Sequence, residues 1–548
     1  MNARRASILL IALAVAAMVA QILRTSAERL YPRYDEVAYL ALSRDFAHEG
    51  GPAAIVRCHV EGRCTEANRP PLYQFFLAPV VGDEPRDFAN IKLVQHGMAL
   101  LMVAMVLLVA SRVFSPRVGI GSAIVVSLLS YMPEYGARIM HDLLFVALTF
   151  AAVYAIAAWQ DRGPALWLAV GALVGLAFLT KGSGHLLFGP LVIASFYRHR
   201  WAVLRRPLLY LAVAGFLATS FFLLWRNLKL FGSPFYNTNA AWMWLDKWQE
   251  YWSLRLTPEY KTIGLGWYLQ RHSIGALLLS IVKGFGFYVG VTIYTAGFGF
   301  ANPIARGVIG FGLLVLAGFG VRRRWCAGHR VEVVAVLSTI AVYYPALSLT
   351  AKAASQAHPR YALPYIVLLI PYAVLEALER FWPWLRGRIA TRLPRLDPTR
   401  VAVGTLAAIL LIRFALAAPA AFARNPRNLY EVDPRWHETS VWFAQNLVHG
   451  ERFAMPYQSY YSTWDAARPD TDPRLPFVYM TPAPTMLGLL GQEKIRKVFV
   501  DRDEADFKNY QDKFSAGADA HGPLAFLAWP RCFADSGTPS RFLVFCQP

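Results

Sequence analysis

Charge is scarce in this chain, and acidic charge most of all. Only 16% of the 548 residues are charged, and 35 Asp and Glu face 55 Lys and Arg. A soluble domain carries roughly 25% charged residues, so a water-solvated globular protein is excluded. The apolar excess, 56% hydrophobic and 14% aromatic, comes in long blocks rather than in alternation. A hydrocarbon core takes about 20 apolar residues at 1.5 Å each, so the blocks predict lipid-facing helices. The net charge of +20 does not point to nucleic acid. No RNA- or DNA-binding motif accompanies it, and the Arg clusters lie between apolar blocks, where the positive-inside rule puts them. The Gly-rich run Leu179-Thr180-Lys181-Gly182-Ser183-Gly184 lacks the GxxxxGK[ST] order of a P-loop.

Blocks able to span run over about 6–23, 93–111, 118–132, 143–159, 164–180, 183–197, 207–225, 307–321, 331–350, 361–379 and 401–419. The first follows Asn2-Ala3-Arg4-Arg5. It is long for a signal peptide, and Thr25-Ser26-Ala27 is a poor cleavage site. It is therefore a retained span with a cytoplasmic N-terminus. The segments 112–117, 198–206, 322–330 and 380–400 carry several Arg and almost no acid. They become the cytoplasmic loops, and 24–92, 133–142, 226–306, 351–360 and the tail become extracytoplasmic. Residues 273–305 are also apolar but are broken by Lys283 and several Gly. A full span there would turn two Arg clusters outward, so the segment is expected to be interfacial or re-entrant. The count is then about 11 spans, up to 13 at the loosest boundaries. Arg413, inside the last span, should be snorkelling or paired.

Cys58 and Cys64 share the first extracytoplasmic loop, and Cys532 and Cys546 share the tail. An oxidising compartment would permit both bridges and leave Cys326 reduced. From about 420 the composition changes. Lys497–Asp501 and Arg541–Phe545 read as short buried strands, and 434–447 and 503–513 as helices. The expected fold is an all-α polytopic membrane domain over 1–419, with a small extracytoplasmic α/β domain over 420–548.

Chemistry-bearing residues gather on the extracytoplasmic side. Asp35 and Glu36 follow the first span. They are a solvated helix start favoured by the macrodipole, or a carboxylate base for an acceptor proton. Arg69, before Pro70-Pro71-Leu72-Tyr73, meets lipid headgroups or binds a lipid-linked phosphate, which a guanidinium fits bidentately. His141-Asp142 opens a span, where the acid caps a helix or works with Asp35. Lys181, Arg226 and the group Lys352, His358, Arg360 and Tyr361 add cations and hydroxyls. Trp242, Trp244, Trp248 and Trp252 suit an interfacial belt or a sugar platform. Basic residues recur in four extracytoplasmic segments, where positive charge should be depleted. That recurrence points to an anionic ligand.

In order, the acidic pair, Arg69-Pro70-Pro71-Leu72-Tyr73, Leu179-Thr180-Lys181-Gly182, Arg226-Asn227 with Phe231-Gly232-Ser233-Pro234-Phe235, and Arg360-Tyr361 with Pro364 resemble the GT-C glycosyltransferases. The type is that of protein O-mannosyltransferases and aminoarabinose transferases, and the resemblance covers about residues 1–380. It implies a polyprenyl-phosphate-linked sugar donor used outside the cytoplasmic membrane. Asp35 would be the catalytic carboxylate and act as base, with Asp142 or Glu36 orienting acceptor or sugar. Arg69, Lys181, Arg360, Tyr361 and Arg226 would hold the donor phosphate. Tyr73, His141 and His358 would contact acceptor or sugar. Asn68 stands where the aminoarabinose enzymes have a metal-ligating Glu, which puts a zinc of that kind in doubt. A divalent metal is left open, and no other cofactor is called for.

The expected activity is sugar transfer from such a donor to an envelope lipid, glycan or protein, by single displacement with inversion. The alternatives are a lipid-linked sugar flippase or other transporter, and a polysaccharide polymerase or ligase. The other partners are membrane lipids and not nucleic acid. The expected location is the cytoplasmic, or inner, membrane.

Overall fold

The structure is a computed structural model. It describes residues 3–27, 35–82, 87–158, 163–247, 250, 254, 258–299, 302–352, 359–392, 397–423, 453–456, 475–477, 496–501, 530, 532 and 542–547. His358, Trp248, Trp252 and the expected helices 434–447 and 503–513 lie outside the described residues.

Each expected apolar block falls on a helix. In chain order these are α1 (Ala3–Ala27), α5 (Asp87–Val113), α6 (Pro116–Leu128), α8 (Asp142–Ala158), α9 (Pro164–Thr180), α10 (Phe188–His199), α11 (Leu208–Phe231), α14 (Pro303–Cys326), α15 (Arg330–Thr350), α16 (Leu363–Glu376) and α18 (Pro398–Ala423). Between them lie α2 (Asp35–His48), α3 (Pro52–Glu61), α4 (Leu72–Leu77), α7 (Met132–Ala137), α12 (Leu265–Arg271), α13 (Ile274–Ala296) and α17 (Trp382–Arg392). Among the described residues seven helices, α1, α5, α11, α13, α14, α15 and α18, are long and apolar enough to cross a membrane. The chain is a multi-pass membrane protein. Several helix starts carry their own stop on fraying. Ser115 accepts from Val118 N–H ahead of Pro116, and Asn302 accepts from Ile304 N–H ahead of Pro303.

The bundle forms around α8, which is apolar on all sides and buried along nearly its whole length. Packing in such a bundle relies on close backbone approach at small residues. The α9–α11 pair shows it. A Cβ on Gly171 would meet the Ala212 carbonyl oxygen at 1.8 Å, and one on Gly215 would meet the Leu168 carbonyl oxygen at 2.1 Å.

Hydrogen bonds sort the helix ends into two groups. At one end Arg324 binds Glu332 and the Val113 carbonyl, and Arg323 binds Glu376 and Glu379. The ends of α5, α14 and α16 and the start of α15 therefore meet there, beside the Arg-rich segments. At the other end Lys229 at the end of α11 donates to the Glu61 carbonyl at 2.7 Å. The first loop, the start of α8 and the end of α9 meet there too. Arg413 is paired: it donates to Gln21 Oε1 at 2.6 Å and to the Leu128 carbonyl at 3.1 Å, joining α18 to α1 and α6.

The segment expected to break at Lys283 is instead one continuous helix, α13. Its glycines do not interrupt it because they serve packing: a Cβ on Gly284 would meet the Ser348 carbonyl at 2.0 Å. Tyr288 reaches Thr350, and Thr292 pairs with Tyr344. Both contacts lie near the last turns of α15. The 23 residues of α13 make about 34 Å of helix, long enough to cross a membrane.

Strands β1 (Phe453–Pro456), β2 (Leu475–Phe477), β3 (Lys497–Asp501) and β4 (Phe542–Cys546) form one sheet in the order β2-β1-β3-β4. The β1 pairings are parallel, and β3 pairs antiparallel with β4, Val498 opposite Phe545. Both expected strands of the tail are present. So are both disulfides, Cys58–Cys64 with Cα atoms 5.4 Å apart and Cys532–Cys546 at 5.7 Å; Cys326 is free and exposed. Replacing Cys58 and Cys64 by Ser should cost about 2 kcal/mol, the chain-entropy value for a loop of about seven residues. Thermal unfolding of the full chain checks this: its midpoint should fall, while Cys326→Ser leaves it unchanged.

Candidate active site

The first loop is a folded platform. α2 opens with Asp35 and Glu36 in its first turn, where carboxylates favour the helix dipole. α3 ends at Gly62, whose φ of 75° is left-handed, and the Cys58–Cys64 bridge closes over that end. Next the Glu66 carboxylate accepts the backbone N–H of Asn68 at 2.6 Å and of Arg69 at 3.3 Å. The same carboxylate meets the Arg69 guanidinium at 3.4 Å. Pro70-Pro71 then lead into α4. Arg69 is thus fixed in backbone and side chain before it meets anything else.

What it meets is Asp35. Arg69 Nη2 lies 2.9 Å from Asp35 Oδ1, and Arg360 Nη1 lies 2.9 Å from Asp35 Oδ2. One carboxylate bridges two guanidiniums, one 34 and the other 325 residues away. Burial on its own would push the Asp35 carboxyl up, but Arg360 and Arg69 outweigh it and hold the group well below the usual carboxylate range. Arg360 also reaches the Tyr361 hydroxyl at 3.3 Å. Beside them Lys181 Nζ lies 3.1 Å from Asp142 Oδ1 and 4.8 Å from the Tyr361 ring centroid. His141 shares a hydrogen bond with the Tyr39 hydroxyl. Burial pushes His141 down to about 4, so its imidazole is neutral at neutral pH.

A small cavity of about 30 Å³ opens against this cluster. Lys181, Arg360 and Tyr361 form its polar rim, and Phe145, Leu347 and Tyr365 are among its apolar walls. It follows α15 from Leu347 to Thr339, about 12 Å of helix. Cationic and hydroxyl groups beside apolar walls suit the anionic head of an amphipathic ligand.

The structure brings together Asp35, Arg69, Arg360, Tyr361, Lys181, Asp142 and His141. Tyr73 lies one ring away, edge-on to Tyr39 at 5.2 Å, with its hydroxyl donating to Gln95 at 2.6 Å. Two other expected residues take different places. Arg226 is buried under the first loop and donates to the carbonyl oxygens of Cys64 and Glu66, so it supports the platform. Glu36 is 1% exposed and accepts the Ile139 N–H at 2.8 Å, tying α2 to the segment before α8. Glu36→Gln keeps an acceptor and should retain most of the activity. Glu36→Ala leaves that N–H unpaired and should cost about 1–3 kcal/mol of stability. Parallel transfer and unfolding measurements on the two variants check this. Glu66 and Tyr39 escaped sequence reasoning.

At position 68, where a metal-ligating Glu was the pattern of the resemblance, the side chain is the Asn68 carboxamide. The Asn68 carboxamide oxygen accepts from Asn239, and no three His, Cys, Asp or Glu side chains converge as metal ligands among the described residues.

Residues 68–225 match the family model of dolichyl-phosphate-mannose-protein mannosyltransferases. The matched stretch contains Arg69, Asp142 and Lys181. No curated protein matches the sequence. Among solved structures the chain is similar to ArnT from Cupriavidus metallidurans in the apo state: TM-score 0.53, 14% identity, 98% of this chain and 97% of that one. The same protein bound to undecaprenyl phosphate matches with TM-score 0.53, 13% identity, and 99% and 98% coverage. The Archaeoglobus fulgidus oligosaccharyltransferase in complex with Zn and sulfate matches with TM-score 0.51, 15% identity, and 93% and 70% coverage. These likenesses show the fold of this chain to be that of ArnT and of the oligosaccharyltransferase, and the family model matches one segment of it.

Proposed function

We propose that this chain is a glycosyltransferase that moves a sugar from a polyprenyl-phosphate-linked donor to an envelope lipid, glycan or protein, by a single displacement that inverts the anomeric centre. The observation that carries the reading is the convergence of Arg69, Lys181 and Arg360, from three distant segments, on one carboxylate pair, with Lys181 and Arg360 also lining a cavity that has apolar walls. The cations suit a phosphate, and the apolar walls suit an isoprenoid. That a solved structure of the same fold is bound to undecaprenyl phosphate supports the same ligand class.

The leaving group is the polyprenyl phosphate, which gains negative charge as the anomeric bond breaks. Arg69, Lys181, Arg360 and the Tyr361 hydroxyl stabilise that charge where it develops. Asp35 accepts the proton of the attacking acceptor group. Asp142 and His141 orient sugar or acceptor. The Arg-rich loops place the opposite bundle end in the cytoplasm. The site, and with it residues 420–548, then faces outward from the inner membrane. Incubating the reconstituted chain with labelled polyprenyl-phosphate sugars and crude envelope acceptors tests the reading. Label should leave the lipid carrier and join an acceptor. Label that crosses the bilayer still on its carrier would mean a translocator instead.

A further inference from the structure

We propose that the Arg69–Arg360 fork is one anion site used in turn by Asp35 and by the donor phosphate, so that the base is released only when donor is bound. The inference rests on the phosphate-site reading above and goes beyond it to an order of events.

The argument starts from charge balance. Arg69, Arg360 and Lys181 face Asp35, Asp142 and Glu66, three cations against three acids, at separations of 2.9–3.4 Å. A phosphate entering this set adds negative charge to a balanced cluster, so one acid must give way. Glu66 is pinned by two backbone N–H groups as well as by Arg69. Asp142 has only 2% of its side chain exposed, beside Lys181. Asp35 keeps 33% of its side chain exposed, and its partners among the described residues are the two guanidiniums. Asp35 is therefore the acid that can leave. It is also the one whose departure frees both guanidiniums, of which Arg360 lines the cavity.

The consequence is chemical. A carboxylate that accepts two charge-assisted hydrogen bonds holds its charge too well to take a proton. Once the phosphodiester takes over the guanidiniums, Asp35 loses that stabilisation and becomes a competent base. In the transfer step the acceptor oxygen bonds to the anomeric carbon and its proton goes to Asp35. The bond from that carbon to the phosphate oxygen breaks, and its electron pair stays on the phosphate. The carrier then bears one more negative charge and Asp35 is neutral. When Asp35 gives its proton to solvent, the carboxylate competes for the fork again and helps to expel the carrier.

The test is direct binding of farnesyl phosphate to the full chain in detergent, with farnesol as the phosphate-free control. An internal competitor lowers apparent affinity by the fraction of time it holds the site. Asp35→Asn should therefore bind farnesyl phosphate about tenfold tighter than wild type, with farnesol binding unchanged. Arg360→Ala should bind farnesyl phosphate more weakly. In wild type, farnesyl phosphate should increase carbodiimide labelling of Asp35, a readout that needs no variant to fold. Unchanged or weaker binding by Asp35→Asn, or labelling that does not rise, overturns the shared-site inference and leaves the phosphate site standing if Arg360→Ala still binds poorly. Normal binding by Arg360→Ala would overturn the phosphate site itself, and the inference with it.

Discussion

Asp35→Asn should abolish sugar transfer, with turnover falling about 10²–10⁴-fold, the range for loss of a positioned general base. The amide keeps the size of the side chain and one oxygen acceptor, so α2 and its first turn should stay in place. What it cannot do is take a proton from the acceptor. The substitution also removes the negative charge that Arg69 and Arg360 share at 2.9 Å each, so some stability should be lost while carrier binding tightens. Single-turnover transfer, carrier binding and thermal unfolding on one preparation separate these effects. Wild-type turnover in this variant would remove Asp35 from the reaction.

The second large effect should fall on the donor. Arg360→Ala removes a guanidinium that joins Asp35, the Tyr361 hydroxyl and the cavity rim. Truncating one member of a desolvated charge pair costs about 2–5 kcal/mol, or roughly thirtyfold or more in affinity. Arg360→Lys should recover only part of this, because an ammonium carries the charge without the planar fork. Arg69→Ala should act in the same direction. The loss belongs in the dissociation constant of the polyprenyl-phosphate donor, read by titration of the reconstituted chain. Donor affinity unchanged in both alanine variants would separate the cation cluster from the phosphate.

Much of this architecture was legible in the sequence, because a membrane imposes long apolar blocks and sorts Arg between their ends. The same holds for Cys58 and Cys64, six residues apart, and for the short apolar runs that became β3 and β4. The residue types of the site were legible too, as cations recurring where they should be depleted. Their partners were not. Asp35 and Arg360 are 325 residues apart, and no local pattern says that one carboxylate bridges two guanidiniums. Arg226 reads like a phosphate ligand by charge and position, yet two backbone carbonyls of the first loop claim it. Glu36 sits beside Asp35, but the next position on a helix points about 100° away, towards Ile139. The continuity of α13 was hidden because its glycines read as breaks, whereas Gly284 marks where that helix lies against α15.

The most direct measurement is an experimental structure of the full chain with a polyprenyl phosphate bound. The phosphate should lie within hydrogen-bond reach of Arg69, Arg360 and Lys181, with its isoprenoid in the cavity between Phe145 and Tyr365 and Asp35 turned away from the guanidiniums. A phosphate held elsewhere, with Asp35 still bridging both arginines, would contradict the account.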